Sequence, residues 1–245
     1  MRLLVYNIAY GTGSPGTALQ YITGAANYLR APERYFRAIA NLVRHYHPDV
    51  AGFLETDHGS FRTRGTSQID ELAKILGTRR HGEFFSKYAP GSYLSSLPYY
   101  RHQSNALLIR DHAAAREWAE FMPCGTKRLV LACEYQQINI FLVHLALTAS
   151  IRRRQLDFLA TLLKPEQPVI ICGDFNTFAG ASELTDFLQK THLISANTEH
   201  QSTYPARRPV KELDYVLYSP HLRLKRFRII RFPGSDHLPL LAEFE

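Results

Sequence analysis

Apolar residues along this chain follow two rhythms. Short runs bounded by turn residues predict strands: "RLLVYNIA" (2–9), "DVAGFLE" (49–55), "NALLIR" (105–110), "RLVLACEY" (128–135), "INIFLVHL" (138–145) and "PVIICG" (168–173). Three more follow, "ELDYVLYS" (212–219), "RLKRFRIIR" (223–231) and "LPLLAEF" (238–244). Other stretches keep 3-and-4 spacing. Tyr35, Phe36, Ile39, Leu42, Val43 and Tyr46 predict a helix over 32–46, with Pro32 in its first turn and His47-Pro48 as its stop. Ile69, Leu72, Ala73 and Leu76 predict a second over 67–77, ended by Gly77. Further helices are expected over about 151–163 and 181–190.

Strands and helices interleave, yet hairpin-like pairs also occur, as where Gln136 and Gln137 join two strands. That combination predicts mixed sheets covered by helices rather than an all-parallel barrel. A chain of 245 residues suits one domain over 1–245, and a core of that size needs no disulfides or structural metal. No appended specificity domain is expected. Two segments, 10–31 and 87–103, lack periodicity; such stretches either decorate the surface or shape a binding site.

Further features narrow the class. No apolar run approaches the roughly 20 residues of a bilayer span, and Asn7 interrupts the N-terminal run too early for a signal peptide. Cys124, Cys133 and Cys172 are odd in number and lack CxxC spacing, which argues against a disulfide framework or zinc site and for a reducing compartment, by default the cytoplasm. A monomer is expected. The 29 Lys and Arg outnumber 22 Asp and Glu, for a net charge of +7. The excess is clustered at Arg79–Arg80, Arg152–Arg154, Arg207–Arg208 and 223–231, where guanidinium groups suit phosphate. Any one cluster reads more simply as a solvated surface.

The chemistry lies where polar residues meet the apolar runs. Asn7 and Glu55 end strands, His144 lies near the end of another, and Asp174 and Asn176 follow "VIICG". Asp214 is inside "ELDYVL", and Asp236-His237 is expected to open the last strand. Acids, amides and imidazoles in such places are paired or bind a metal. Oxygen donors of these types suit Mg2+ or Mn2+ rather than zinc. Histidines move or donate protons near neutral pH. Together they suit hydrolysis of a phosphate ester.

The stretches "VYNIA", "FLETD", "SNALLI", "LVHL", "GDFNT", "ELDYVL" and "SDHLPLLAEF", in that order over positions 5–244, resemble the endonuclease/exonuclease/phosphatase family, with the fold of deoxyribonuclease I. The resemblance implies a four-layer α/β sandwich, two packed and mostly antiparallel sheets flanked by helices. It further implies that Asn7 and Glu55 form a metal-site pair, Glu55 being the direct Mg2+ ligand, and that Asp236 is a further metal-site carboxylate. It makes Asp174 the water-positioning acid, Asn176 its amide partner, His144 a phosphate-contacting donor, and His237 a catalytic histidine oriented by Asp214. Asn105 matches a supporting position. Ala9 stands where members that cut abasic DNA often carry an acid, and Phe175 where they often carry Trp, which weakens a DNA-repair assignment.

Each residue also has a plainer reading. Asp174, Asn176 and Asn7 suit turns, Glu55 could pair with Arg62 or Arg64, and Asp214 with Arg207 or Arg208. His144 could be a satisfied core histidine, and Asp236-His237 a cap or surface turn. His45 and His47 read as structural, and Asp57 as an acid paired with Arg. The reading carried forward is a Mg2+-dependent phosphoesterase whose substrate is a phosphate ester, with nucleic acid among the candidates. The alternative is a non-catalytic phosphate or nucleic-acid binding module on the same scaffold.

Overall fold

The computed structural model describes residues 1–13, 27, 29–78, 100–111, 115–126, 128–164, 166–232 and 234–245. Most of the two aperiodic segments, and Arg79–Arg80, lie outside the described residues. Two mixed sheets form the centre. The first contains β1 (Arg2–Asn7), β2 (Val50–Asp57), β3 (Gln103–Ile109), β10 (Leu224–Ile229) and β11 (Leu240–Phe244), ordered β10-β11-β1-β2-β3. The second contains β4 (Ala115–Phe121), β5 (Leu129–Tyr135), β6 (Ile138–His144), β7 (Val169–Asp174), β8 (Ile194–Ser195) and β9 (Asp214–Tyr218), ordered β4-β5-β6-β7-β9-β8.

Each sheet has one parallel pair built by a helical crossover. Helix α1 (Glu33–Tyr46) carries the chain from β1 to β2, and α3 (Ala149–Leu162) from β6 to β7. Parallel strands joined this way share a C-terminal end, so Asn7 lies beside Leu54, and His144 beside Asp174. The remaining ladders are antiparallel.

Alternation along the strands divides the core into three layers. Leu3, Val5, Ile140, Leu142, Ile170, Cys172, Val216 and Leu240 pack between the sheets. Leu4, Tyr6 and Phe53 pack outward against Ile39 and Val43 of α1 and Leu72 of α2 (Gln68–Leu76). Phe141, Val143 and Ile171 pack against Leu156 and Leu159 of α3 and Phe187 of α4 (Thr185–Thr191). The result is the expected four-layer α/β sandwich.

Several local expectations need correction. Pro32 is the N-cap of α1, in extended conformation, rather than a residue of its first turn. Helix α3 starts at Ala149. β2 continues two residues past Glu55. Strand β4 has no counterpart in the predicted elements: every described residue of it is half-buried except exposed Arg116, so its sequence shows little contrast. The basic run 223–231 is largely the edge strand β10, where positive side chains discourage edge-to-edge pairing. Arg152 is buried rather than solvated, paired with Glu183. His47 caps α1 in a left-handed conformation and contacts Arg110, as befits a structural residue. Burial pushes the Cys133 and Cys172 thiols far up, and both are free, inert core groups. Among the described residues no helix is long and apolar enough to cross a membrane.

Candidate active site

Five rows of the inter-sheet core end in a polar residue. On β1, Leu3 and Val5 lead to Asn7; on β3, Ile109 and Leu107 lead back to Asn105. On β6, Ile140 and Leu142 lead to His144; on β7, Ile170 and Cys172 lead to Asp174; on β9, Val216 leads back to Asp214. Asp214 lies opposite Asp174 in the β7–β9 ladder. Period-two alternation therefore aims all five into the same layer. All five are buried.

Glu55 needs a further device, because alternation from Leu54 would turn it toward the helices. The β2–β3 register shifts between Phe53 and Thr56, and Glu55 takes a left-handed φ of 53°. Its amide donates to Asn105 Oδ1 at 3.2 Å. This bulge brings Glu55 Oε1 to 4.0 Å from His144 Nδ1 on the opposite sheet.

Asp174 divides its two oxygens. Oδ1 accepts from the backbone amide of Asn176 at 3.0 Å, an Asx turn that holds Asn176 at φ 53°. Oδ2 is the meeting point: Asn7 Nδ2 donates to it at 3.1 Å, His144 Nε2 stands 3.3 Å away and His237 Nε2 3.8 Å away. One oxygen of Asp174 thus makes the expected turn, while the other faces the side chains brought together from the two sheets. Asn7 is used the same way, its Oδ1 accepting from the Ala9 amide while its Nδ2 reaches Asp174. Asn176 Nδ2 donates to the Leu145 carbonyl, tying the loop after β7 to the loop after β6. Buried Arg152 ties the same two loops, donating to the carbonyls of Ala146 and Leu147 and to Glu183, whose other oxygen accepts from the Ala179 amide.

Asp236 and His237 sit in the turn before β11, not on the strand itself. That turn is held by the Ala206 amide on the Asp236 carbonyl at 2.7 Å and by the Leu238 amide on the Thr203 carbonyl at 3.0 Å. Asp214, rather than pairing with Arg207 or Arg208, stands with Oδ2 2.8 Å from His237 Nδ1. The same oxygen accepts from Thr203 Oγ1 at 2.6 Å. Burial by itself would push the His237 imidazole down. The carboxylates of Asp214, Asp174 and Asp236, with the hydrogen bond from Asp214, outweigh it and raise the group to about 10. His237 is therefore an imidazolium at neutral pH.

Some residues around the site carry no signal in the sequence. Thr203 clamps Asp214 and also accepts from the Leu213 and Asp214 amides. The Tyr204 ring lies 4.9 Å from that of His237, and Phe178, partly exposed, meets Tyr204 edge-on. Burial, then Asp236 and Asp214, push the Tyr6 phenol well up, so it remains a neutral hydroxyl beside the acids. These partners are distant in sequence, and nothing in a short motif announces them. Asp57 is paired with Arg62 as expected.

Among the described residues, one cluster of acids and histidine is close enough to hold a cation. Asp174, Asp214 and His237 present ligand atoms within 4.8 Å of one another. However, His237 Nδ1 and Asp214 Oδ2 already face each other at hydrogen-bond distance, which an ion there would disrupt. Burial pushes the Asp236 carboxyl up, His237 offsets part of that, and the nearby Glu55 carboxylate adds to it. Repulsion between two nearby carboxylates is what a divalent ion relieves. Glu55 is only partly buried, so the pair is reachable from solvent.

The sequence model described as the endonuclease/exonuclease/phosphatase family matches residues 4–237. No curated protein matches the chain by sequence. Solved structures do. The human Nocturnin catalytic domain with bound sulfate anion is 22% identical, with a TM-score of 0.68, over 100% of this chain and 93% of that one. A Bacteroides thetaiotaomicron mannosyl-6-phosphatase is 12% identical, with a TM-score of 0.66, over 100% and 99%. An endonuclease/exonuclease/phosphatase from Beutenbergia cavernae is 17% identical, with a TM-score of 0.71, over 100% and 71%. At these identities the likeness is one of fold.

Proposed function

The chain belongs to the endonuclease/exonuclease/phosphatase family, and from that premise we propose that it is a Mg2+- or Mn2+-dependent phosphoesterase, hydrolysing a phosphodiester or phosphomonoester by in-line attack of water. One observation carries the reading: Asn7, His144 and His237, from three separated parts of the chain, converge on the single oxygen Asp174 Oδ2. A buried carboxylate oxygen with such company suits acid–base work, beside the turn that the other oxygen makes. The structural neighbours named for a bound sulfate and for phosphatase activity fit a site built for a tetrahedral anion.

In this reading Asp174 Oδ2 orients the attacking water and draws off its proton. Asn7 and His144 hold that carboxylate in place. His237, kept protonated by Asp214, offers its Nε2–H to a phosphate oxygen and stabilises the charge that grows there. Asn176 is the amide partner of Asp174 close to the phosphate, and His144 supplies a donor to the phosphate. Glu55, Asn7 and Asp236 would hold the divalent ion, which when bound neutralises phosphate charge and polarises the P–O bond.

The test is a hydrolysis panel with Mg2+ or Mn2+ covering DNA, RNA, phosphodiesters, sugar phosphates and sphingomyelin. We expect turnover on at least one class, reduced about 10²- to 10⁴-fold in folded Asp174→Ala and His237→Ala proteins. A fully active His237→Ala protein would sink the mechanism. No turnover, together with salt-sensitive binding to DNA or RNA, would favour the binding-module alternative.

A further inference from the structure

Asn7 and Glu55 stand on neighbouring strands; strained backbone follows Asn7 and lies at Glu55 itself. Ala9 and Tyr10 have φ of 43° and 56°, and Glu55 itself 53°. Left-handed conformations at three non-glycine residues persist only where the surroundings over-determine them. Besides the side chains of Asn7 and Asn105, the surroundings include two buried side chains, each touching Tyr10 and also Asp57, two residues past Glu55. Gln68 Oε1 accepts from the Asp57 amide at 2.9 Å, while its Nε2 donates to the Tyr10 carbonyl at 2.8 Å. Arg62, with no solvent exposure, pairs with Asp57 at 3.8 Å and lies over the Tyr10 ring at 4.0 Å. The Tyr10 hydroxyl then donates to Gln103 on β3 at 3.0 Å. Gly11 makes room for this: it has φ +71°, and a Cβ there would come within 2.9 Å of Gln68 Nε2.

We propose that Gln68 and Arg62 are positioning residues for the cation site, a double cross-tie that fixes the turn after Asn7 against the bulge at Glu55. The inference rests on the reading of Asn7 and Glu55 as metal ligands. Neither cross-tie residue touches the ion. They pre-set the separation and aim of the two that do, so that binding needs no reordering of strained backbone.

Direct Mn2+ binding tests this, followed by electron paramagnetic resonance of the free ion and measured well below each protein's melting temperature. The proteins are wild type, Gln68→Met, Arg62→Lys and a Glu55→Gln control. Wild type is expected to bind, Glu55→Gln to lose binding, and the two cross-tie variants to bind about tenfold more weakly or worse. A purely structural role would lower the melting temperature and leave Mn2+ affinity unchanged. Wild-type affinity in folded Gln68→Met therefore overturns the cross-tie while leaving the metal site standing. Absence of Glu55-dependent binding in wild type overturns the metal reading and this inference with it. Should Arg62→Lys fail to fold, Gln68→Met decides alone, since it removes two hydrogen bonds and no charge.

Discussion

Asn7 and Asp174, 167 positions apart and on different sheets, are joined by a 3.1 Å hydrogen bond from Asn7 Nδ2 to Asp174 Oδ2. The bond closes the polar end of the inter-sheet layer and steadies the carboxylate on which two histidines converge. Asn7→Ala should cost about 1–3 kcal/mol of stability, because the buried Asp174 carboxylate loses a donor and the Ala9 amide loses its acceptor. It should also reduce hydrolysis under conditions where the variant is fully folded. Urea unfolding and initial rates, measured on the same preparations, separate the two effects; wild-type rates in a destabilised variant would confine Asn7 to structure.

The pair His237–Asp214 predicts a pH dependence. The imidazole is raised to about 10 in the folded protein, against about 6.5 unfolded. Its contribution to stability is therefore present in full below about pH 6.5 and is lost as pH rises through about 10. Activity that needs the imidazolium should show its alkaline limb well above neutrality. Asp214→Asn removes the largest influence raising the group, so the limb should move toward lower pH. NMR titration of His237 in metal-free wild type and Asp214→Asn would show the same displacement; an unmoved titration would contradict the assignment of Asp214 as its orienting acid.

Glu55 and Asp236 predict linkage between cation and stability. A divalent ion that binds only the folded chain at 100 times its dissociation constant adds about 2.7 kcal/mol. Mg2+ should therefore raise the melting temperature of wild type and not that of Glu55→Gln. EDTA should abolish hydrolysis, and added Mg2+ should restore it. Rates unaffected by EDTA would exclude a required metal.

How much of this was legible in the sequence depended on how each residue reaches the site. Asn7, Asn105, His144, Asp174 and Asp214 continue apolar rows with period two, so the run of Leu3, Val5, Asn7 already points the amide inward. Glu55 breaks the period. Only the bulge, visible as φ 53° and a register shift, explains why it joins the others while Asp57, two residues on, turns away to Arg62. Thr203, Tyr204 and Tyr6 act through contacts between distant segments, and no spacing rule reports those. β4 escaped for a different reason: an edge strand of half-buried residues, with Glu117 between Ala115 and Ala119, leaves little apolar contrast to read. Of the basic clusters, 152–154 misled, since Arg152 is a buried clamp.

The glycine of "GDFNT" supplies the last prediction. Gly173 has φ +134°, and a Cβ there would stand 1.9 Å from the Val143 carbonyl oxygen, a clash with backbone that no rotamer relieves. Close approach of β7 to β6 is what sets His144 beside Asp174, so the glycine and the acid after it form one structural unit. Gly173→Ala should destabilise by about 4 kcal/mol or more, the range reserved for severe backbone conflict. Gly180→Ala is the matched control: its φ is also positive, at +109°, but a Cβ there meets nothing within 4 Å. That change should cost about 1–3 kcal/mol, from conformation alone. Urea midpoints of the two variants compare the terms directly. Near-equal midpoints would mean that β6 and β7 can separate at little cost, and that the placement of Asp174 against His144 does not depend on the absence of a side chain at 173.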